Sequence, residues 1–117
     1  MRTRFFQEGS PECPILAITD FDASEGTTLA ESILRMQSAK GNPVIIEGDV
    51  RLTLETSSQD LGIGEAVGNQ YVCALRESTW DNVIGLLEPF MNPSQSGYQW
   101  LDDSGAVRLL LSRTGEW

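Results

Sequence analysis

The stretch DFDASEGTTLAE, from Asp20 to Glu31, carries oxygen ligands at a spacing that could hold a cation. Aligned with the calcium loop of an EF-hand, it fills four ligand positions with suitable residue types. Position 6 of that loop requires glycine for a sharp turn, however, and here it is Glu25, while the preceding segment resembles a strand instead of a helix. The alternative is the acidic N-terminus of a helix, which this pattern favours. The aligned ligand candidates are Asp20, Asp22, Ser24 and Glu31.

The acidic residues are concentrated in two parts of the chain. Seventeen acids against eight bases give a formal net charge of -9. Residues 5–34 contain six acids and residues 77–107 contain five, and neither range contains Lys or Arg. Such a surface repels a phosphate backbone, so we expect no direct nucleic-acid binding. A basic protein partner or a cation is favoured instead.

Histidine is absent, which removes the commonest general base, the usual nucleophile pairs and most zinc sites. An enzyme would depend on carboxylate pairs such as Asp20 with Asp22 or Asp102 with Asp103. Solvated turn carboxylates lack the burial that separates their pKa values for acid and base roles. We therefore predict that the protein is not an enzyme. For a function other than the binding of a basic protein, the first alternative is a protein that binds calcium or another cation through the Asp20–Glu31 loop, and the second is a carboxylate-only enzyme.

The glycines of GIGEAVG do not match a nucleotide-binding fingerprint. Gly62, Gly64 and Gly68 precede a predicted strand, and the third glycine lies one position too late. We interpret the segment as a surface loop and expect no cofactor. With only Cys13 and Cys73, sixty positions apart, we expect two reduced thiols instead of a disulfide.

Length and hydropathy predict one globular domain, residues 1–117, because the chain is too short for two cores. No run is apolar enough for an export signal or a membrane span, so we expect a cytoplasmic protein that does not associate with membranes. Strand and helix patterns predict an α+β domain with a mainly antiparallel sheet of about five to seven strands. The two predicted helices cover residues 28–39 and 79–88.

Local signals place the helix ends and one hairpin turn. Thr28 and Glu31 form a capping box for the first helix, and Pro89 ends or kinks the second. A hairpin turning at Gly48-Asp49 should place Ile45 opposite Leu52. The strand order does not follow from these local signals.

A second predicted hairpin turns at Asp103-Ser104-Gly105, with glycine in the left-handed conformation. If Leu101 pairs with Val107, Leu109 and Leu111 share the buried side, and three side chains share the opposite face. The second predicted helix could cover that face, or Arg108 could stack on Trp100 as a local cation–π pair. The three side chains are Tyr98, Trp100 and Arg108.

An exposed aromatic anchor beside Asp102 and Asp103 would instead have the composition of a protein-binding hot spot. The sequences STWDNVIGLLEPF and GYQWLDDSGAVRLLLSRTGEW, with the size and charge of the chain, resemble the small acidic immunity proteins of bacterial toxin systems, including contact-dependent inhibition. This resemblance covers the last third of the chain. It implies a non-catalytic inhibitor that masks the basic active site of a cognate toxin. From charge and aromaticity, the predicted partner-binding residues are Asp20, Asp22, Glu25, Tyr98, Trp100, Asp102 and Asp103.

Overall fold

Eight strands form two four-stranded sheets in the computed structural model of this chain, which describes residues 1–7, 14–38, 41–65 and 67–117. The predicted single α+β domain with two helices is confirmed, although it has one strand more than the upper limit of the predicted number. A short 3-10 helix follows the second helix. The elements are β1 (Arg2–Phe6), β2 (Ile15–Thr19), α1 (Ala23–Met36), β3 (Val44–Ile46), β4 (Arg51–Thr56), β5 (Gly62–Glu65), β6 (Gln70–Leu75), α2 (Glu77–Leu87), the 3-10 helix (Glu88–Met91), β7 (Tyr98–Asp102) and β8 (Arg108–Ser112).

The two sheets have the same plan. The first sheet has the order β1-β2-β8-β7 and the second has the order β3-β4-β6-β5. In each, the two central strands are parallel and each outer strand is antiparallel to its neighbour. The prediction of mainly antiparallel pairing is therefore confirmed, while both parallel pairs join strands that are distant in sequence.

The inner faces of both sheets and the apolar faces of both helices share one core. Trp80 of α2 is fully buried there, and its indole nitrogen donates a hydrogen bond to the Glu55 carbonyl at 2.9 Å. That bond satisfies the one polar atom of a large apolar side chain. Every residue of β2 is buried and all but Thr19 are apolar, as expected for a central strand covered on both faces.

A backbone bridge joins the two sheets at Thr3 and Gly48. Thr3 donates to the Glu47 carbonyl at 3.1 Å, and its own carbonyl accepts from Asp49 at 2.9 Å. The Gly48-Asp49 segment thus pairs with β1, so it forms part of a wider turn. The predicted register is wrong by one residue. Ile46, and not Ile45, pairs with Leu52, and Ile45 is 55% exposed.

A second junction joins the sheets at Gly62 and Gly105, where two backbones touch. Ile63 bridges to Val107, and a Cβ atom on Gly105 would lie 2.6 Å from the Ile63 nitrogen. Gly62 has a φ of 71°, which favours glycine. Two predictions are corrected here: residues 62–65 form a strand instead of a loop, and Gly105 is not among the residues with positive φ.

The first helix begins five residues earlier than predicted. Asp22 is its N-cap and accepts from the Glu25 nitrogen at 2.8 Å, while the Glu25 carboxylate accepts from the Asp22 nitrogen at 3.3 Å. This reciprocal pair replaces the predicted box of Thr28 and Glu31, because both of those residues lie inside the helix. The acidic helix N-terminus suggested by the sequence is therefore present, formed by different residues.

The second helix takes its N-terminal cap from a distant loop. Its own N-cap residue, Arg76, provides no side-chain cap, but the Asp60 carboxylate accepts from the Arg76 nitrogen at 2.9 Å. The helix begins at Glu77, two residues before the prediction, and the predicted effect of Pro89 is confirmed, since α2 ends at Leu87 and a 3-10 turn follows.

Cys73 is a buried free thiol, and Cys13 lies outside the described residues, so the expectation about the pair is not tested. Among the described residues, neither helix is long and apolar enough to cross a membrane.

We expect Gly62→Ala to destabilise the protein by about 2 kcal/mol or more, because the new Cβ would require positive φ and would meet the Gly105 backbone. Gly85→Ala in α2 is the matched control, since its Cβ would meet nothing within 4 Å. We expect that control to be stabilised by about 0.5–1 kcal/mol. Urea unfolding of both variants measures the difference, and equal effects would contradict the close approach at this junction.

We expect Asp60→Asn to change the acid dependence of stability. The Arg76 backbone N–H, then the Thr79 hydroxyl and the Arg76 guanidinium, lower the pKa of Asp60 from 3.8 to about 2. A carboxyl with a depressed folded pKa stabilises above its unfolded pKa, and that contribution is lost as pH falls through 3.8 towards 2. The wild type should therefore lose more unfolding free energy over this window than the variant. Parallel pH profiles would contradict this role.

Candidate functional site

A cleft of about 370 Å³ lies at the β7–β8 end of the first sheet. It brings together three of the predicted site residues, Trp100, Asp102 and Asp103, with an arginine from the facing strand. Asp103 is exposed and Trp100 is half-buried. We call this depression the hairpin cleft; its lining residues are Trp100, Leu101, Asp102, Asp103 and Arg108.

The pairing of β7 with β8 decides which side chains reach this cleft. Trp100 pairs with Leu110, and a β-bulge follows before Asp102 pairs with Leu109. Leu101 is buried in the main core, as are the alternate residues of β8. The predicted division of the hairpin into a core face and an aromatic face is therefore confirmed, whereas the predicted pairing of Leu101 with Val107 is wrong, since Val107 bridges to Ile63 of the other sheet. The buried residues are Leu101, Val107, Leu109 and Leu111.

The aromatic face is held by contacts between its own side chains. The Arg108 guanidinium carbon lies 5.9 Å from the centre of the Trp100 ring, and the Tyr98 and Trp100 ring centres are 6.4 Å apart, edge to face. The stacking of arginine on tryptophan considered from the sequence is thus present. Tyr98 is nevertheless 50% exposed, so this face retains accessible aromatic surface.

A small second core supports Trp100 from below. Ile15, Ala17 and Leu110 are at most 1% exposed on the outer face of the first sheet, and Trp100 packs against them. Phe6 covers the same cluster from β1. Because Trp100 packs against this cluster and stays partly exposed, its side chain is positioned as an apolar anchor beside two carboxylates.

The two carboxylates of the hairpin cleft have different surroundings. Asp102 accepts from the Ser104 hydroxyl at 2.7 Å and from the Ser104 nitrogen at 3.3 Å, which fixes its side chain in the turn. Burial, followed by the negative charge of Asp102, raises the pKa of the Cys73 thiol far above its usual range. The Cys73 thiol therefore stays protonated and uncharged, so the negative charge near the hairpin cleft belongs to the aspartates.

The other predicted acids lie at the opposite end of the first sheet. Asp20 follows the last residue of β2 and donates its backbone N–H to the Arg113 carbonyl at 2.9 Å, whereas Arg108 pairs with the first residue of that strand. One strand length of about 15 Å separates the two ends. The structure therefore does not bring Asp20, Asp22 and Glu25 together with the aspartates of the hairpin cleft.

These three acids are also engaged within the fold. Asp20 lies 3.8 Å from Arg2, and Glu25 lies 2.6 Å from the N-terminal ammonium of Met1. Hydrogen bonds from the Glu25 backbone N–H and then the Ser24 hydroxyl lower the pKa of Asp22. These three negative charges are therefore partly offset by interactions within the fold near the start of α1, which weakens their attraction for a partner.

The calcium-loop alternative does not match this geometry. The chain is helical from Ala23 to beyond Glu31, so Glu31 lies about 13 Å along the helix axis from Asp22. A chelating loop would have to fold the two carboxylates around one ion. Within the described parts of the chain, no three His, Cys, Asp or Glu side chains are grouped so as to hold a metal.

A second depression, of about 240 Å³, lies on the outer face of the second sheet. Sequence reasoning missed it because the GIGEAVG segment was interpreted as a loop, whereas it contributes an edge strand. The alternation of Glu55 with the core residues Leu52 and Leu54 was the available signal. We call this depression the β5 trough; it is lined by Glu55, Leu61, Gly62, Gly64, Glu65, Val72 and Ala74.

Comparison with known proteins adds no relative to this description. No family model, curated protein or solved structure matches the chain. The functional argument therefore depends on the charges, aromatic surface and clefts of the chain itself.

The three tryptophans should differ in solvent accessibility in a way that tests the anchor. Trp80 is fully buried and Trp117 is 41% exposed, while Trp100 is half-buried. We expect a soluble paramagnetic agent to relax the indole N–H signals of Trp117 and Trp100 strongly and that of Trp80 weakly. Substitution of each outer tryptophan by Phe assigns the signals. Protection of Trp100 equal to that of Trp80 would contradict an accessible anchor.

Proposed function

We propose that this protein binds a basic protein partner through the hairpin cleft and acts without catalysis, as an immunity-type inhibitor of a cognate bacterial toxin in the cytoplasm. One observation carries the proposal: a half-buried tryptophan fixed beside two aspartates on a chain of net charge -9. An aromatic anchor with adjacent charges is the composition found at the centre of protein-binding surfaces.

The cleft residues have separate roles in this proposal. Trp100, with Tyr98 at its edge, supplies the apolar contact, since aromatic anchors dominate binding free energy when water is excluded from them. Asp102 and Asp103 meet Lys or Arg side chains of the partner. Arg108 stacks on the tryptophan and holds the ring in place before binding.

The remaining negative charge acts at longer range. The first acidic stretch, with Asp20, Asp22 and Glu25, lies about one strand length from the cleft and is engaged in capping and ion pairs. It contributes to the overall field, which raises the association rate with a basic partner. A toxin whose active site binds an anionic substrate presents such a basic surface, and occupation of that surface by an acidic protein would prevent substrate binding.

The direct experiment is co-expression with the product of the adjacent gene in the native genome. We expect the neighbour to arrest growth alone and to be neutralised by this protein, with the purified pair forming a stoichiometric complex. A neighbour that is harmless, or one that remains toxic in the presence of this protein, would contradict the inhibitor proposal.

Substitutions in the cleft should weaken that complex selectively. We expect Trp100→Ala to raise the Kd at least about 30-fold, the effect of losing a hot-spot side chain. Trp117→Ala is its control, an aromatic truncation outside the cleft lining. Asp103→Lys should slow association more than Glu31→Lys, which makes the same charge change on the exposed face of α1. Equal effects within either pair would show that the hairpin cleft is not the contact.

A further inference from the structure

We infer that the free edge of β3 binds an extended, acidic segment of a protein partner, which adds a strand to the second sheet and places a carboxylate beside Arg35. The inference goes beyond the proposed function and does not depend on it, because it concerns the other sheet and a bound segment of the opposite charge.

A groove lies between α1 and the free edge of β3. It consists of two depressions of about 500 Å³ and about 220 Å³, whose walls share Ser32, Val44 and Ile45. β3 is the outer strand of the second sheet, and within the described residues it pairs with β4 alone over its three residues. We call this space the edge groove; the residues that define it are Thr28, Ser32, Arg35, Val44, Ile45 and Ile46.

The edge groove has the length of a short extended segment. Glu25 and Ile46 line the smaller depression, whereas Arg35 and Asn42 line the larger one. Glu25 and Arg35 are ten residues apart in α1, which corresponds to about 15 Å along the helix axis. On the strand side, the four steps from Asn42 to Ile46 correspond to about 13 Å. About four extended residues therefore fit between the two ends.

The hydrogen-bonding groups of Ile45 point to this free edge. Arg51 donates its backbone N–H to the Asn69 carbonyl at 2.9 Å, on the β6 side of β4. Because the hydrogen-bonding groups of a strand alternate between its two sides, those of Leu52 point to β3, where its partner is Ile46. The N–H and C=O of Ile45, one residue before Ile46, therefore point away from β4.

β1 already pairs with the continuation of this edge. The Thr3 N–H donates to the Glu47 carbonyl at 3.1 Å, and the Asp49 N–H donates to the Thr3 carbonyl at 2.9 Å. The Glu47 carbonyl thus points to the same side as the groups of Ile45, two residues earlier in the chain. A bound segment beside Ile45 would lie in line with β1 and continue its pairing.

The side chains of β3 add apolar surface to the free backbone groups. Ile45 is 55% exposed, whereas Ile46 is buried and Val44 packs against the main core. An unpaired strand edge with exposed apolar surface can accept a further strand from another chain. In this mode the main-chain hydrogen bonds supply affinity, and contacts to alternate side chains supply specificity.

Arg35 decides the charge of the bound segment. It is exposed, it is the only charged residue among the described residues that line the larger depression, and the salt bridges of the described chain do not include it. Glu25 at the opposite end lies 2.6 Å from the Met1 ammonium. The edge groove therefore has an uncompensated positive charge at one end, although the chain has a net charge of -9.

A carboxylate of the bound segment complements this end. The Arg35 guanidinium can donate two hydrogen bonds to it, and the Ser32 hydroxyl, 3.4 Å from Arg35 Nη2, is a further donor. The β3 edge of a second copy of this chain does not supply such a group, since residues 32–46 contain no Asp or Glu. The next acid, Glu47, pairs with Arg51 at 2.8 Å. Charge complementarity thus favours an acidic partner segment over self-association.

The test is a titration of the isotopically labelled full chain with short peptides, followed by NMR and amide hydrogen exchange. An added strand can run in either direction, so the probes are acetyl-Glu-Val-Thr-Val-amide and acetyl-Val-Thr-Val-Glu-amide. We expect one of them, at millimolar concentration, to shift the Ile45 amide saturably and to slow its exchange at least about tenfold. The same peptide with Gln in place of Glu should bind more weakly, and a form with methylated backbone nitrogens should not bind.

Variants assign the effect to the edge and to the charge. Ile45→Pro removes the free N–H and should abolish binding without loss of the fold, because proline is tolerated on an edge strand whose N–H faces solvent. Ile45→Thr, which keeps the N–H and the β-branch, is its control. Arg35→Gln should weaken binding of the Glu peptide about fivefold or more and leave the Gln peptide unchanged. Arg4→Gln makes the same charge change outside the edge groove and should have no effect.

Three results would overturn the inference. The first is that neither Glu peptide slows Ile45 exchange, and the second is that the methylated or Gln peptide binds as tightly as the Glu peptide. The third is protection of the Ile45 amide that rises with protein concentration without peptide, together with a doubled mass in light scattering, which would assign the edge to a second copy. None of these results bears on the hairpin cleft, whose test is the complex with the basic partner.

Discussion

The parallel pairing of β2 with β8 is the constraint on which the first sheet depends. These strands come from opposite ends of the chain, and their register places Ile15 beside Arg108 and Ile18 beside Leu111. Apart from Arg108, every residue of both strands is buried, so residues 15–18 and 109–111 are apolar in succession instead of alternating. The pairing fixes the C-terminal hairpin on the sheet, and with it the ring of Trp100 over the small outer core.

Charge is used in two ways by this chain. At the end of β2, acids cap α1 and pair with the N-terminal ammonium and Arg2, so they stabilise the start of the helix. Most of the described bases are likewise engaged, as Arg113 is with the carbonyls of the segment after α2 and Arg76 is with Asp60. Among the described residues, no salt bridge involves the two aspartates of the hairpin cleft, so their negative charge is not neutralised by an ion pair.

Local sequence signals were reliable where neighbours in the chain are also neighbours in space. The two faces of the C-terminal hairpin, the position of α2 and the end of that helix before Pro89 all followed from alternation, helical spacing and proline chemistry. They failed where a distant segment competed. β1 pairs with the turn at Gly48 and widens it, which shifted the register of the β3–β4 hairpin by one residue. The start of α1 was misplaced for a local reason, because the capping box of Asp22 and Glu25 precedes the Thr28 signal.

The sequence by itself determined the fold class, the excess of negative charge and the aromatic face of the last hairpin, because composition and period-two alternation are local properties. Only the tertiary structure decided that the acids near Asp20 and the aspartates of the hairpin cleft lie at opposite ends of one sheet. It also turned a glycine-rich segment into an edge strand beside the hairpin, since two glycines there allow the backbones to touch. Parallel pairing and backbone contact between distant segments depend on long-range packing, and no short stretch of residues encodes them.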